Sequence, residues 1–370
     1  MNRRLTQNSQ NPQSTILKRI VSAISACSAF IVVVGAQAPA IEAIPVRGHI
    51  FLIGGAGSNI TVSAGPDGVF LVDTGTAANA DKVLAAIKAL QARLQLALPA
   101  APRSGAETTV ATNLEPFYRT LTPPKPIRYI ANTSALADHV GGNEKIALAG
   151  KTYTGGNVTG EIGGEGEKAA ILSHENVLSR LGDLKIASAG LPTDTYFGRT
   201  LKLAYFFNGE GVELLSVPSA VTDGDSIVHF RGSDIVSTGE LFDFTRFPLI
   251  DMAKGGSIQG LLAGLNRMVE MAVPEFRSEG GTLFIPAHGR VGDIADMTYY
   301  RDMVTIIRDR IQDLMKKGRT LDQIKAAKPT EDWDGRLGKD KSWTPDMFVD
   351  AIYKGLSTPV ASGLSRTEKK

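Results

Sequence analysis

The stretch Asn132-Thr133-Ser134-Ala135-Leu136-Ala137-Asp138-His139-Val140-Gly141-Gly142-Asn143 decides how this chain reads. It follows a mostly apolar run, Ile127 to Ala131, that has the character of a buried strand. It ends near a glycine pair, where a chain can turn sharply. Between strand and turn stands an Asp-His pair. A carboxylate beside an imidazole at a strand end is a common way to present metal ligands.

Upstream, Ile50–Ile53, Asn59–Ser63 and Val69–Asp73 are short β-rich runs separated by Gly54-Gly55-Ala56-Gly57-Ser58 and Gly65-Pro66-Asp67-Gly68, a meander with turn chemistry between its strands. Asp73-Thr74-Gly75 closes the third. Val83, Leu84, Ile87, Leu90 and Leu94 recur at helical spacing, which predicts an amphipathic helix over 78–96. Residues 97–125, rich in Pro, Ala and Thr, read as a surface excursion. The glycine-dense stretch Gly150–Gly166 reads as a loop near the mouth of any site. Downstream, Ser173 reads as the N-cap of a short helix to Leu181. Strands follow at Val212–Val217, Ile227–Phe230 and Ile235–Thr238, the last ended by Gly239-Glu240. Ser257–Met271 carries an apolar face and predicts a packed helix. Thr282–Ile285 is a buried strand with Pro286-Ala287-His288-Gly289 at its end. Helices are expected at Met303–Met315, after the capping-box spacing Thr320-Leu321-Asp322-Gln323, and from Thr344-Pro345 to Leu356.

The 370 residues are 43% hydrophobic and 21% charged, a globular composition long enough for one large domain or two small ones. Residues 1–38 hold Arg3, Arg4, Lys18 and Arg19 and no acid. Taking those four from the 40 basic residues leaves 36 against 38 acidic, and no dense basic stripe exists, so no nucleic-acid partner is implied. The same 38 residues have the form of a signal peptide. Lys18-Arg19 precede an apolar run from Ile20 to Ala38, and Ala36-Gln37-Ala38 offers small residues for cleavage. Pro39 disfavours that cut, and one after Ala43 is the alternative. The competing reading is an uncleaved anchor, since the run approaches the ~20 residues that span a bilayer, but its Ala, Ser and Gly content favours removal. Ile24-Ser25-Ala26-Cys27 loosely resembles a lipoprotein acylation site, with too short an apolar stretch before it. The expectation is export to the periplasm or medium, with no membrane span after cleavage. Cys27 is the only cysteine, so the mature chain has no disulfide and no thiolate ligand.

Asp-His-x-Gly-Gly-Asn resembles the tail of the metal-binding signature of the metallo-β-lactamase superfamily. Further landmarks resemble that family in its own order: Leu71-Val72-Asp73-Thr74-Gly75, Thr222-Asp223-Gly224-Asp225, Thr238-Gly239-Glu240 and Pro286-Ala287-His288-Gly289. The resemblance implies an α+β fold, the four-layer αββα sandwich, over residues 45–300. A C-terminal helical extension over 301–356 and a polar tail over 357–370 would follow. It also implies up to two metals. One pocket would take the residues at Ser134, Leu136 and Val221, none of which is a usable ligand here, so that pocket is expected to be empty. The other would take Asp138, His139 and His288, all present, which is a recognised catalytic zinc set. Glu240 stands where many relatives have a bridging aspartate.

The expected protein is a hydrolase with one zinc at Asp138, His139 and His288. Asp138 or Glu240 would act as general base on an ester, thioester, lactone or amide-type small-molecule substrate. The alternative is a catalytically inactive protein that binds a small molecule or partner in an apolar groove lined by Leu136 and Val221. Asp73 is expected to cap its turn and to orient a ligand at most, and Asp223 and Asp225 to form a turn. His49, His174 and His229 are expected to be structural, at a strand edge, a helix start and a sheet face.

Overall fold

Apolar residues on both faces of most strands predict sheets covered on both sides, and the computed structural model has that arrangement. It describes residues 41–96, 125–152, 168–203, 206–272 and 280–357. The expected signal peptide with Cys27, most of the expected 97–125 excursion, most of the expected 150–166 loop and most of the tail lie outside them. Among the described residues no helix is long and apolar enough to cross a membrane.

Seven strands form the first sheet in sequence order: β1 (Ala43–Arg47), β2 (Ile50–Ile53), β3 (Ile60–Gly65), β4 (Gly68–Val72), β5 (Ile127–Ala131), β6 (Ala170–His174) and β7 (Asp194–Tyr196). The first four pair antiparallel; β4 to β7 pair parallel. The second sheet has β8 (Thr200–Lys202), β9 (Val212–Ser216), β10 (Ser226–Phe230), β11 (Ile235–Asp243) and β12 (Leu283–His288), with only β11 and β12 parallel. Nine α-helices are described. They are α1 (Ala80–Leu96), α2 (Ala137–Val140), α3 (Asn143–Leu148), α4 (Glu175–Leu181), α5 (Ile258–Met271), α6 (Ile294–Lys316), α7 (Leu321–Ala326), α8 (Glu331–Leu337) and α9 (Pro345–Ser357).

The period of two along β2 separates two cores. Ile50 and Leu52 point between the sheets with Phe70, Val72, Leu214, Val228, Phe230 and Ile285. Phe51 and Ile53 point the other way, with Val83, Ile87 and Leu90 of α1 and Ile146 of α3. The outer face of the second sheet (Ile227, Val236, Leu241, Phe284) is covered by α5, α6 and α9. Helices, sheet, sheet, helices is the expected sandwich. At its centre Phe70 meets Phe230 edge-on, ring centroids 5.9 Å apart at 88°. Burying one such ring contributes ~1.5–3 kcal/mol, so this inner layer holds the sheets together.

Several local expectations change. Ser173 is in β6, and His174 caps α4 instead, its Nδ1 accepting from the Asn176 amide at 3.2 Å. An imidazole acceptor does here what the serine hydroxyl was expected to do. Helix α6 starts at Ile294, because Asp293 and Asp296 form a capping box there and Met297 and Tyr300 add an apolar turn. The expected boundary at residue 300 therefore falls inside a helix. Strand β11 runs on past Gly239-Glu240 to Asp243, with an irregular register at Gly239.

Candidate metal site

The C-terminal ends of β4, β5, β11 and β12 converge, the place where parallel strands usually present a site. Asp73 directly follows β4 with a left-handed φ of 65°, a strained setting for a non-glycine residue. Its carboxylate is what the strain secures. Oδ1 accepts from the Thr133 amide at 2.8 Å, and Oδ2 lies 2.6 Å from Thr133 Oγ1 and 2.7 Å from His139 Nδ1.

Asp138 and His139 sit in α2, a single turn whose backbone is clamped from three sides. Ser58 Oγ donates to Asp138 O at 2.7 Å, and the Thr74 amide and hydroxyl both donate to His139 O, at 2.7 and 3.0 Å. The glycine pair is required by this packing: a Cβ on Gly142 would stand 2.5 Å from Thr74 O. Asn143 of the motif fixes the next turn through Thr74 Oγ1, Asn132 and Gly190 O. At the end of β12, the turn holding His288 is pinned by Asn59, which bonds Pro286 O and Gly289 O at 2.9 Å each.

Glu240, fully buried in β11, joins the pieces. Its Oε1 lies 3.0 Å from His139 Nε2 and 3.0 Å from His288 Nε2. His288 Nε2 is also 3.4 Å from Asp138 Oδ2. Arg246, in the segment after β11, donates from Nη2 to Glu240 Oε2 at 2.8 Å and from Nε to Asp243 Oδ2 at 3.1 Å. Its Nη1 lies 3.6 Å from Asp340 Oδ2. The result is a chain of alternating charge: Asp73, His139, Glu240, then His288 with Asp138, and Arg246 with Asp243 and Asp340.

Electrostatics follow from this alternation. Burial opposes charge on His139, but the Asp73 and Glu240 carboxylates outweigh it and hold the imidazolium well above the usual histidine range. Burial likewise opposes charge on His288, and hydrogen bonds to Asp138 and Glu240 overcome it, raising the ring to about 9. Burial favours a neutral Glu240, yet hydrogen bonds from both imidazoles, with Arg246 behind them, keep it well below the carboxylate range. The two imidazoliums and one guanidinium thus offset part of the charge of the surrounding carboxylates.

Asp138, Glu240 and His288 each offer a ligand atom, and the three atoms lie within 4.8 Å of one another. Ligand atoms around a tetrahedral zinc, with bonds of about 2.0–2.1 Å, stand about 3.3 Å apart. The His288 separations of 3.0 and 3.4 Å match that spacing. Two carboxylates and an imidazole also suit a divalent ion chemically, so the residues present fit the group. His139 touches this set through Glu240, with its other nitrogen on Asp73. At the other pocket's positions, Ser134 and Val221 are buried and Leu136 half-buried. Val221 thus faces core rather than a groove.

Asp225 accepts from the Thr222 amide and hydroxyl at 2.6 and 2.7 Å, as a turn former does, and burial pushes its carboxyl up to about 7. Asp223 pairs with Arg180 at 2.7 Å. His229 is in mid-strand in β10, and His49 is exposed beside the β1–β2 turn. Sequence reasoning passed over Thr133, Asp243, Asp340 and above all Arg246. Arg246 follows Glu240 by six residues in an irregular segment, where no periodicity marks it.

Two sheets between helix layers, with carboxylates and imidazoles gathered at the strand ends, define a class of αββα sandwich proteins with a candidate metal site. The chain belongs to the metallo-beta-lactamase superfamily, whose sequence profile matches residues 53–242, half of its length. Comparison with curated protein sequences gives no match. Among solved structures, the stereoselective inverting sec-alkylsulfatase Pisa1 from Pseudomonas sp. superposes with a TM-score of 0.55 at 13% identity, over 89% of this chain and 52% of that one. This chain therefore spans about half the length of that alkylsulfatase. DIM-1 metallo-beta-lactamase gives 0.46 at 15% identity, over 73% and 99%. A metallo-beta-lactamase from Pontibacter korlensis gives 0.45 at 13%, over 71% and 98%. At these identities the likeness is one of fold.

Proposed function

We propose that this protein is a hydrolase with a single zinc held among Asp138, His139, Glu240 and His288. It would act on an ester, thioester, lactone or amide-type bond of a small molecule. The observation that carries the reading is the convergence of Asp138, Glu240 and His288, one ligand atom each, at the strand ends of this superfamily's fold. When bound, the metal would supply Lewis acidity and a water of lowered pKa.

The chain's own residues have separable parts in this. Asp73 and Thr133 fix the His139 ring. Glu240, buried and anionic, keeps two imidazole nitrogens directed at one point. Asp138 is the most open carboxylate of the set, with its side chain 31% exposed, and is the group placed to take a proton from an incoming water. Arg246 balances Glu240 from behind. Export is part of the same proposal and rests on the composition of residues 1–38.

The full chain, purified from cells grown with zinc, should carry about one zinc per molecule by elemental analysis. That zinc, together with turnover of a panel of esters, thioesters and lactones, should be lost in His288→Ala. A protein that stays free of zinc at micromolar concentrations contradicts the reading.

A further inference from the structure

We propose that Arg246 is a tethered cation that competes with the divalent ion for the ligand cluster, so that metal binding displaces its guanidinium from Glu240 and His288. This rests on the metal reading above and concerns how tightly the site is held.

The geometry is specific. Nη2 of Arg246 sits 2.8 Å from Glu240 Oε2 and 3.4 Å from His288 Nε2, and these residues supply two of the three clustered ligand atoms. A guanidinium has donors only, and it is always charged. If His288 is neutral, Nη2 donates to the lone pair a metal requires. If His288 is protonated, the proton already occupies that lone pair and Arg246 supplies the balancing charge for Glu240. A metal about 2.0–2.1 Å from His288 Nε2 would add a second cation close to Nη2, and the two like charges repel.

The anchors indicate where the guanidinium can go. Glu240 and Asp243 are both buried parts of β11, whereas Asp340, between α8 and α9, has its side chain 27% exposed and lies 3.6 Å from Nη1. The Arg246 side chain is itself 19% exposed. Withdrawal of Nη2 toward Asp340 and solvent releases Glu240 Oε2 and His288 Nε2 while keeping the arginine paired. The cluster would thus have two filled states, guanidinium or metal, drawing on the same side chains.

The test is zinc affinity of the full chain, stripped with chelator and titrated against a chromophoric competitor, for wild type, Arg246→Gln and Arg246→Lys. The glutamine variant should bind zinc ~10-fold or more tightly, because the competing charge is gone. The lysine variant, which keeps the charge, should stay closer to wild type. If the glutamine variant is unfolded without metal, zinc-dependent refolding reads the same quantity and should be complete at zinc concentrations below those that saturate wild type. Equal or weaker affinity in Arg246→Gln overturns the proposal and makes Arg246 a support for Glu240 instead. Zinc uptake by none of the three removes the metal reading itself, and this inference with it.

Discussion

His288 shows how much one residue's surroundings change its chemistry. The ring is raised to about 9 against an ordinary value of 6.5. A group whose folded pKa lies above its unfolded one stabilises the fold fully below the unfolded value, and that stability is lost as pH rises through the folded value. Metal-free protein should therefore be less stable at pH 9.5 than at pH 6.5, by at most about 3 kcal/mol from this residue. Urea unfolding in chelator at the two pH values measures it, and His288→Asn should reduce the difference, the remainder coming from His139, which is also held well above the usual range. An equal slope in wild type and variant would detach the effect from His288. Asp225, raised to about 7 by burial, loses stability in a lower window, between its ordinary 3.8 and 7. At this scale Asp138, His139 and His288 stood out in the sequence as candidates because a short motif and a strand-end turn mark them, and the structure gathers Asp138 and His288 with Glu240. Arg246 did not stand out, since its role depends on Glu240, Asp243 and Asp340 meeting around it.

Strand β11 is the element that assembles the site. Read as sequence it stops at Gly239-Glu240, because a glycine inside a strand pattern is a break signal. In the structure the chain passes through Gly239 with φ +54 and continues, and that kink lets Glu240 point at both imidazoles while Asp243 reaches Arg246. A Cβ at Gly239 would lie 2.7 Å from Thr133 Oγ1, the hydroxyl that holds Asp73. Gly239→Ala should cost ~2 kcal/mol or more, combining a left-handed backbone with a collision. It should also weaken zinc binding, because Thr133 and Asp73 orient His139. A urea midpoint and zinc affinity both equal to wild type would mean that the kink has no such role.

Across the whole molecule, the helices after β12 complete the second outer layer. Met297, Val304 and Ile307 of α6 and Phe348 and Ile352 of α9 share one core with Ile227, Val236 and Phe284 of the second sheet. Phe348 stacks on Phe247 at 5.2 Å and 17°. Phe348→Ala should cost ~3–5 kcal/mol and lower the midpoint of a single cooperative transition, measured by calorimetry. A small separate transition, with the main one unmoved, would show that these helices fold on their own. Through Asp340 the same helices reach Arg246, so this layer also borders the site.

The sequence alone determined the family fold and offered one set of candidate ligand types. Strand runs, turn glycines and helical periodicity are local signals, and five short motifs stand in the superfamily's order. It also showed one-sided loss, at Ser134, Leu136 and Val221, because residue type alone says what can ligate. Only the tertiary structure decided which ligand atoms meet. Asp138, Glu240 and His288 are separated by about a hundred and about fifty residues and converge through strand register, a property of pairing rather than of any local stretch. It likewise decided that Glu240 sits between two histidines and an arginine, since charges distant along the chain become neighbours only when burial gathers them.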